Sequence, residues 1–216
     1  MSLFTTFKNV IATFGMEKLT KPIFNNSKIA IRFNIGDNGN DAFIDRESEN
    51  MSVNPDYISA CLDRVLKIYN SMSNAPDLLV IEGYTINGKS AEKFVSSVLT
   101  TTGLPYPDEI NSEIVREDHS EYNHLFLLWN LNDFQPDKLL REIILCDFEV
   151  GNYLLSSSVY FVSTTDKVLF HLYDDRGVDL VADKKEKIQN IYDELNDLIS
   201  DYNVEEIDTI FKSTAE

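Results

Sequence analysis

The stretch from Ser157 to Ala182, SSVYFVSTTDKVLFHLYDDRGVDLVA, constrains the fold more than any other part of the chain. Apolar residues alternate along it and two short polar runs interrupt it, the pattern of three strands joined by tight turns. Val159 and Phe161 point one way on the first strand, as do Val168, Phe170 and Leu172 on the second. The connection Thr164-Thr165-Asp166-Lys167 is short enough to make those two strands antiparallel neighbours. The second turn, Tyr173 to Gly177, reads YDDRG. Asp174 or Asp175 can accept from turn amides, and Gly177 can adopt a positive φ that returns the chain to the ladder. The same residues place two carboxylates and a guanidinium at an exposed tip. Asp174, Asp175, Arg176 and Asp179 are therefore candidate contacts for a partner's basic group. They would also suit a cation, although hard metals usually take more ligands than this segment supplies.

The rest of the chain supplies helices for that sheet. Ser2 can cap a first helix with Leu3, Phe4, Phe7, Val10, Ile11 and Phe14 on one stripe, and Gly15 suits its end. Alternation over Lys28 to Gly36 marks a half-buried strand, and Ala42 to Ile44 is placed to return as its hairpin partner after the Asp37 to Asn40 turn. Asn54 and Pro55 open a helix through Ile58, Cys61, Leu62, Val65, Leu66 and Tyr69. Leu78 to Glu82 reads as an interior strand, residues 90 to 100 as a short helix, and His124 to Leu131 as another strand. Residues 103 to 122 are polar, contain Pro105 and Pro107 and have no clear period, so they read as an irregular, mobile connection. Pro136 opens a helix that runs through Ile143 to Asp147. Asp183 with Glu186, and Asn203 with Glu206, form acidic capping boxes for two final helices, the first carrying Ile188 to Ile199.

Composition narrows the function classes. A chain of 216 residues buries enough surface to need no disulfides, so Cys61 and Cys146 read as reduced thiols. No apolar run reaches the roughly 20 residues of a membrane span. The N-terminal segment alternates polar with apolar residues, unlike a signal peptide. The expected compartment is the cytoplasm. A net charge of -17 repels phosphate backbones and attracts a basic partner, although solubility alone also accounts for it. The charge is uneven: residues 1 to 36 carry Lys8, Lys18, Lys21, Lys28 and Arg32 against Glu17 alone.

Gly83 to Ser90, GYTINGKS, matches the phosphate-loop pattern at every fixed position, with Gly83, Gly88, Lys89 and Ser90 as nucleotide-binding candidates. It lies between a strand-like and a helix-like segment, where backbone amides and a helix N-terminus would cradle phosphate. Tyr84 and Ile86 are bulky for a loop that must wrap phosphate, and the motif does not open the sheet. Ile143 to Asp147, which would supply the metal-binding aspartate, reads as helix. The alternative is a hairpin turn at Asn87-Gly88 followed by a helix start. His119, His124 and His171 show no metal-ligand spacing, and His171 reads as a hydrogen-bonded surface histidine across from Tyr160. Trp129 reads as core.

Taken together, IRFNIG, the Tyr57 to Tyr69 helix with DLLVI after it, HLFLLW, the Ser158 to Asp197 segment and DYNVEEIDTIF resemble a bacterial family of unknown function. Its signature is a C-terminal strand, a YDDRG turn and a following helix. The resemblance covers most of the chain from Lys28 onward. It implies that Gly83 to Ser90 is not a phosphate loop, it transfers no catalytic residue, and by association it implies an immunity-type binding role.

The expectation is a single α+β domain over residues 1–216, with helix 2–15 at its periphery and any sub-boundary near 103–122. Its sheet is mainly antiparallel with packed helices, and the C-terminal meander is followed by two helices. The expected function is a non-enzymatic module binding a basic protein, without nucleic acid, membrane, cofactor or metal. The alternative is a nucleotide-binding enzyme using Gly83 to Ser90.

Overall fold

The computed structural model describes residues 1–44, 52–86, 91–117, 120–148, 155 and 158–212. Among them, the helices are α1 (Leu3–Thr13), α2 (Pro55–Asn70), α3 (Ala91–Thr102), α4 (Asp137–Ile144), α5 (Gln189–Glu194) and α6 (Val204–Phe211). The strands are β1 (Ala30–Asn34), β2 (Phe43–Ile44), β3 (Ser52–Val53), β4 (Leu78–Ile86), β5 (Glu109–Glu117), β6 (Ser120–Asn130), β7 (Val159–Ser163), β8 (Val168–Leu172) and β9 (Gly177–Ala182). Among the described residues, seven strands form one sheet in the order β1-β9-β8-β7-β4-β6-β5, every pair antiparallel. The fold is α+β, as the sequence predicts.

The C-terminal meander forms as expected. Phe161 lies opposite Phe170, their rings 5.9 Å apart, and Lys167 closes the first turn at φ 56°. β4 sits inside the sheet between β6 and β7, which is why its LLVI run is fully buried. One sheet face is apolar and carries α2 and α4: Tyr69 packs edge-on against Phe161 and Phe170. The other face lies under α1 and the segment that follows it. Ser2 caps α1 through the Thr5 amide, and Phe7, Val10 and Ile11 are buried. Asn54 caps α2 through the Asp56 amide, with Pro55 in its first turn. Cys61 and Cys146 are buried free thiols.

Four expectations are corrected. Residues 103–122 are not an irregular connection: they hold β5 and the start of β6, a hairpin in register from Glu109 opposite Leu128 to Glu117 opposite Ser120. Ala42 to Ile44 does not return to β1; Phe43 and Ile44 pair with Val53 and Ser52 instead. The helix expected from Asp183 is broken. Its segments are a 3-10 turn at Lys185–Lys187, then α5, then a second 3-10 turn at Asn196–Leu198. The Asp183 carboxylate reaches Lys187 at 2.7 Å instead of capping an amide, and Ile188 and Leu195 leave helical geometry at φ -126° and -117°. The apolar stripe survives the breaks, since Ile188, Ile191, Leu195 and Leu198 are all buried. Asn203 likewise makes no side-chain cap to α6. After the second 3-10 turn, Ile199 bridges to Phe33 and the Ser200 amide donates to the Arg32 carbonyl at 2.9 Å. The β1 edge of the sheet is therefore partly covered.

Gly83 also has a packing reason that the motif reading missed. A Cβ there would fall inside the Phe94 ring of α3. Gly83→Ala should lower stability by about 1–3 kcal/mol through overpacking, and adding Phe94→Leu should recover at least about half of it. Thermal denaturation of the single and double variants measures both.

Candidate functional site

In an antiparallel sheet, residues directly opposite one another share a face. Register therefore puts Glu113 of β5, His124 of β6, Tyr84 and Glu82 of β4, Tyr160 of β7, His171 of β8, Asp179 of β9 and Arg32 of β1 on one side. This belt of polar and ionisable groups crosses the sheet from edge to edge, beneath the N-terminal segment.

Two carboxylates anchor the belt. Glu82 is 4% exposed, and its Oε1 accepts from the Tyr160 hydroxyl at 2.5 Å and from Lys21 Nζ at 2.7 Å. Its Oε2 lies 2.9 Å from His124 Nε2. Burial alone would raise the Glu82 pKa; the His124 hydrogen bond, the Lys21 charge and the Tyr160 hydroxyl outweigh it and hold the carboxyl at about 2. An ionised Glu82 requires the facing His124 nitrogen to carry the proton. The His124 ring is fixed further by stacking on Tyr84, with centroids 4.2 Å apart, and by Phe126 at 4.1 Å. Asp179, 1% exposed, takes the bidentate fork of Arg32 at 2.7 and 2.8 Å, and its Oδ2 also accepts from the Phe24 amide at 3.2 Å. The Asp179 hydrogen bond raises the Arg32 pKa. Between the two anchors, Tyr160 stacks on His171 at 4.9 Å. His171 is 2% exposed, so it is not the surface histidine the sequence predicts.

Two cavities open on this face, on either side of Lys21. One, of about 530 Å³, lies between α1, residues 18–21 and the β4-β6-β5 end of the sheet. The other, of about 440 Å³, is lined by Pro22, Arg32, His171, Tyr173 and Arg176.

The YDDRG turn is built differently from its sequence expectation. Asp174, Asp175 and Asp179 are buried; only Arg176 is exposed. Asp174 accepts from the Arg176 amide at 2.8 Å and holds the same residue's guanidinium. Asp175 accepts from the Tyr57 hydroxyl of α2 at 2.6 Å, while the Arg176 carbonyl accepts from the Ile35 amide at 2.9 Å. Asp179 lies within β9 and pairs with Arg32, so it does not belong to the tip. The turn therefore clamps β1 and α2 together, and its carboxylates are not a free contact surface. Gly177 is not among the positive-φ glycines of the described residues, which are Gly15, Gly39 and Gly103. Glycine is required at 177 because a Cβ would meet the Tyr173 hydroxyl and the Phe33 carbonyl.

The structure also brings Asp147 to Asp174 and Asp175, with ligand-type oxygens within 4.8 Å of one another. Burial and then the charge of Asp174 raise the Asp147 pKa. The Arg176 guanidinium on Asp174 already supplies positive charge to this cluster. The nearby thiols are unreactive by the same physics, since burial pushes Cys61 up to about 11 and Cys146 up to about 12.

The phosphate-loop reading loses its first half. Gly83 to Ile86 are extended residues of β4 paired with Leu125 to Tyr122 of β6, whereas a phosphate cradle needs a curled loop at these positions. The strand ends at Ile86 and α3 begins at Ala91, and the turn expected at Asn87-Gly88 lies outside the described residues. Gly88, Lys89 and Ser90 lie outside the described residues.

Residues 7–203 match the family model described as Domain of unknown function (DUF3885). The chain belongs to that family. The resemblance carried by YDDRG and its neighbouring segments is thus to the DUF3885 family. A relative, "Uncharacterized protein YnaE" of Bacillus subtilis (strain 168), is 30% identical over 103 residues, 45% of this chain and 46% of that protein. The chain thus spans less than half the length of the relative it matches. No solved structure matches. Among the described residues, no helix is long and apolar enough to cross a membrane.

Sequence reading missed Glu82, Lys21, His124, Tyr160 and Arg32 as one constellation. The available signal was Glu82 itself, an acid on the face of Leu78 and Val80 in an interior strand. Because its folded pKa of about 2 lies below the ordinary 4.5, Glu82 contributes stability that is full above about pH 4.5 and is lost as pH falls towards 2, amounting to about 3 kcal/mol. Glu82→Gln should remove that slope and destabilise the protein by about 3 kcal/mol at neutral pH, measured by urea denaturation across pH. Asp147 has the opposite sign. Its raised pKa makes the ionised form unfavourable in the fold, so Asp147→Asn should raise the Tm modestly at neutral pH and leave it unchanged at about pH 3.

Proposed function

We propose that this chain is a non-enzymatic binding module that docks a basic protein partner through the outer edge of β5. The observation that carries this reading is the state of that strand. β5 ends the sheet and pairs on its inner side with β6 over residues 109–117; among the described residues no strand pairs with its other edge. Ile110 is 36% exposed and Ile114 61% exposed on the same face. A long open edge with exposed isoleucines is a template for an added strand, and soluble proteins rarely leave one unguarded. The opposite edge, by contrast, is bridged by Ile199.

Charge supports a basic occupant over a second copy. The chain carries -17, so pairing two copies edge to edge would bring two strongly acidic bodies together. An immunity-type role is the form of this reading in which the basic partner is a toxin. The YDDRG carboxylates take no part in it, because each already has an internal partner.

A synthetic peptide of alternating lysine and valine serves as probe. Titration at low salt should show one-to-one binding, and hydrogen exchange should slow at β5 amides. Ile110→Lys with Ile114→Lys changes the net charge little and should weaken binding by about tenfold or more. An unprotected β5, or equal binding by the double variant, would rule out the edge as the docking site.

A further inference from the structure

The larger cavity has a chemistry of its own. Its wall from α1 and the following segment contributes Phe7, Ile11 and Leu19, and the sheet contributes Phe126, so one side is apolar. Lys8, Lys18 and Lys21 also line it, together with His124, against two acids among the described residues, Glu82 and Glu113. That sign is opposite to the chain as a whole, in which 36 acidic residues face 19 lysines and arginines.

The hydrogen-bonding capacity inside is unbalanced in the same direction. Glu113 faces Lys8 at 3.6 Å, and Glu82 is already surrounded by Tyr160, Lys21 and His124. A cationic ligand would therefore find both acids engaged, while Lys18 remains as the uncompensated charge beside the paired Lys8 and Lys21. Each lysine carries three donors, and a single carboxylate partner leaves donors over. Lys18 has no ion-pair partner within 4.0 Å among the described residues and is exposed at the rim. Excess donors beside an apolar wall, in a volume of about 530 Å³, suit an amphipathic anion, and small-molecule sites commonly enclose about 300–1,000 Å³.

We propose that this cavity binds a small organic acid, its carboxylate held among Lys8, Lys18 and Lys21 and its apolar body laid against Phe7, Ile11, Leu19 and Phe126. The Glu82 anchor has a positioning role in this site: it fixes Lys21 and the His124 ring in the wall. The stacked Tyr84, 59% exposed, stands at the mouth. The proposal is independent of the β5 edge, because β5 presents Glu113 and Val115 to the cavity through its side chains, while strand addition uses its outer backbone.

The test uses the whole chain with three probes of matched length at constant ionic strength: octanoate, octanol and octylamine. Amide NMR spectra should show saturable, one-to-one shifts with octanoate at residues 18–21 and 122–126. Binding of octanol and octylamine should be weaker by about tenfold or more. Lys18→Glu should weaken octanoate binding by about tenfold, with a Tm within about 2 °C of wild type, because the residue is exposed and makes no ion pair. Val115→Trp, which projects into the cavity, should block the same shifts. The proposal is overturned by any of three results: octanoate produces no saturable shift at these residues, octylamine binds as tightly as octanoate, or Lys18→Glu leaves octanoate affinity unchanged.

Discussion

A carboxylate inside a sheet has to be surrounded by donors, and Glu82 sets much of this architecture by that requirement. It stands on β4, the strand between β6 and β7, where it is only 4% exposed. Its donors come from three separate places: Tyr160 on β7, His124 on β6 and Lys21 on the segment after α1. The first two tie neighbouring strands to one another. The third draws the N-terminal segment down onto the sheet, where Phe24 and Arg32 make a second attachment through Asp179. The segment is therefore held by the Lys21–Glu82 ion pair and by the Phe24 amide on the Asp179 carboxylate, with Phe7 and Ile11 filling the apolar contact beside them.

The two faces of the sheet divide the work. The face under α2 and α4 is apolar, and its packing supplies burial without polar obligations, as in the Tyr69, Phe161 and Phe170 cluster. The face under the N-terminal segment carries the polar belt and both cavities. Buried polar pairs add little net stability over apolar residues of the same size. They add directional requirements, and each belt residue accepts only a partner of matching charge and geometry. On this sheet that property determines where the N-terminal segment lies.

The C-terminal meander was legible from its residue pattern even though β7, β8 and β9 are buried on both faces. Period-two alternation and two polar turns then identify the strands without any long-range information. The helices α1 and α2 were legible from their caps and stripes. β5 was not, because an edge strand faces partly solvated surroundings on both sides: Glu109, Asn111 and Glu113 alternate with Ile110, Ser112 and Ile114, and no apolar period remains. The break within residues 183–199 was invisible for a different reason. The apolar stripe is real, but Asp183 is drawn to Lys187, and the backbone turns in three short pieces under the same buried side chains. Asp175 and Asp179 were assigned to a surface because the partners that bury them, Tyr57 and Arg32, lie 118 and 147 positions away. The candidate belt has the same property, since its members are drawn from seven strands, with β4 alone supplying two. Local pattern cannot join residues whose only relation is register.

The sign of the larger cavity follows from this arrangement. The chain's acidic excess lies after residue 36, and the segment before it carries Lys8, Lys18, Lys21, Lys28 and Arg32 against Glu17 alone. Laying that segment across the sheet places Lys8, Lys18 and Lys21 around one space. Screening limits the field of the surrounding acids to about 10 Å at ordinary ionic strength, while the three ammonium groups act at contact distance. An approaching anion is therefore opposed at long range and favoured only at the site itself. Such a site discriminates by contact geometry instead of by collecting anions from solution. Recruitment at long range is left to the acidic exterior, which favours the opposite class of partner. One chain can in this way present two incompatible electrostatic preferences, because the ionic attachment of its N-terminal segment keeps the basic residues on one face.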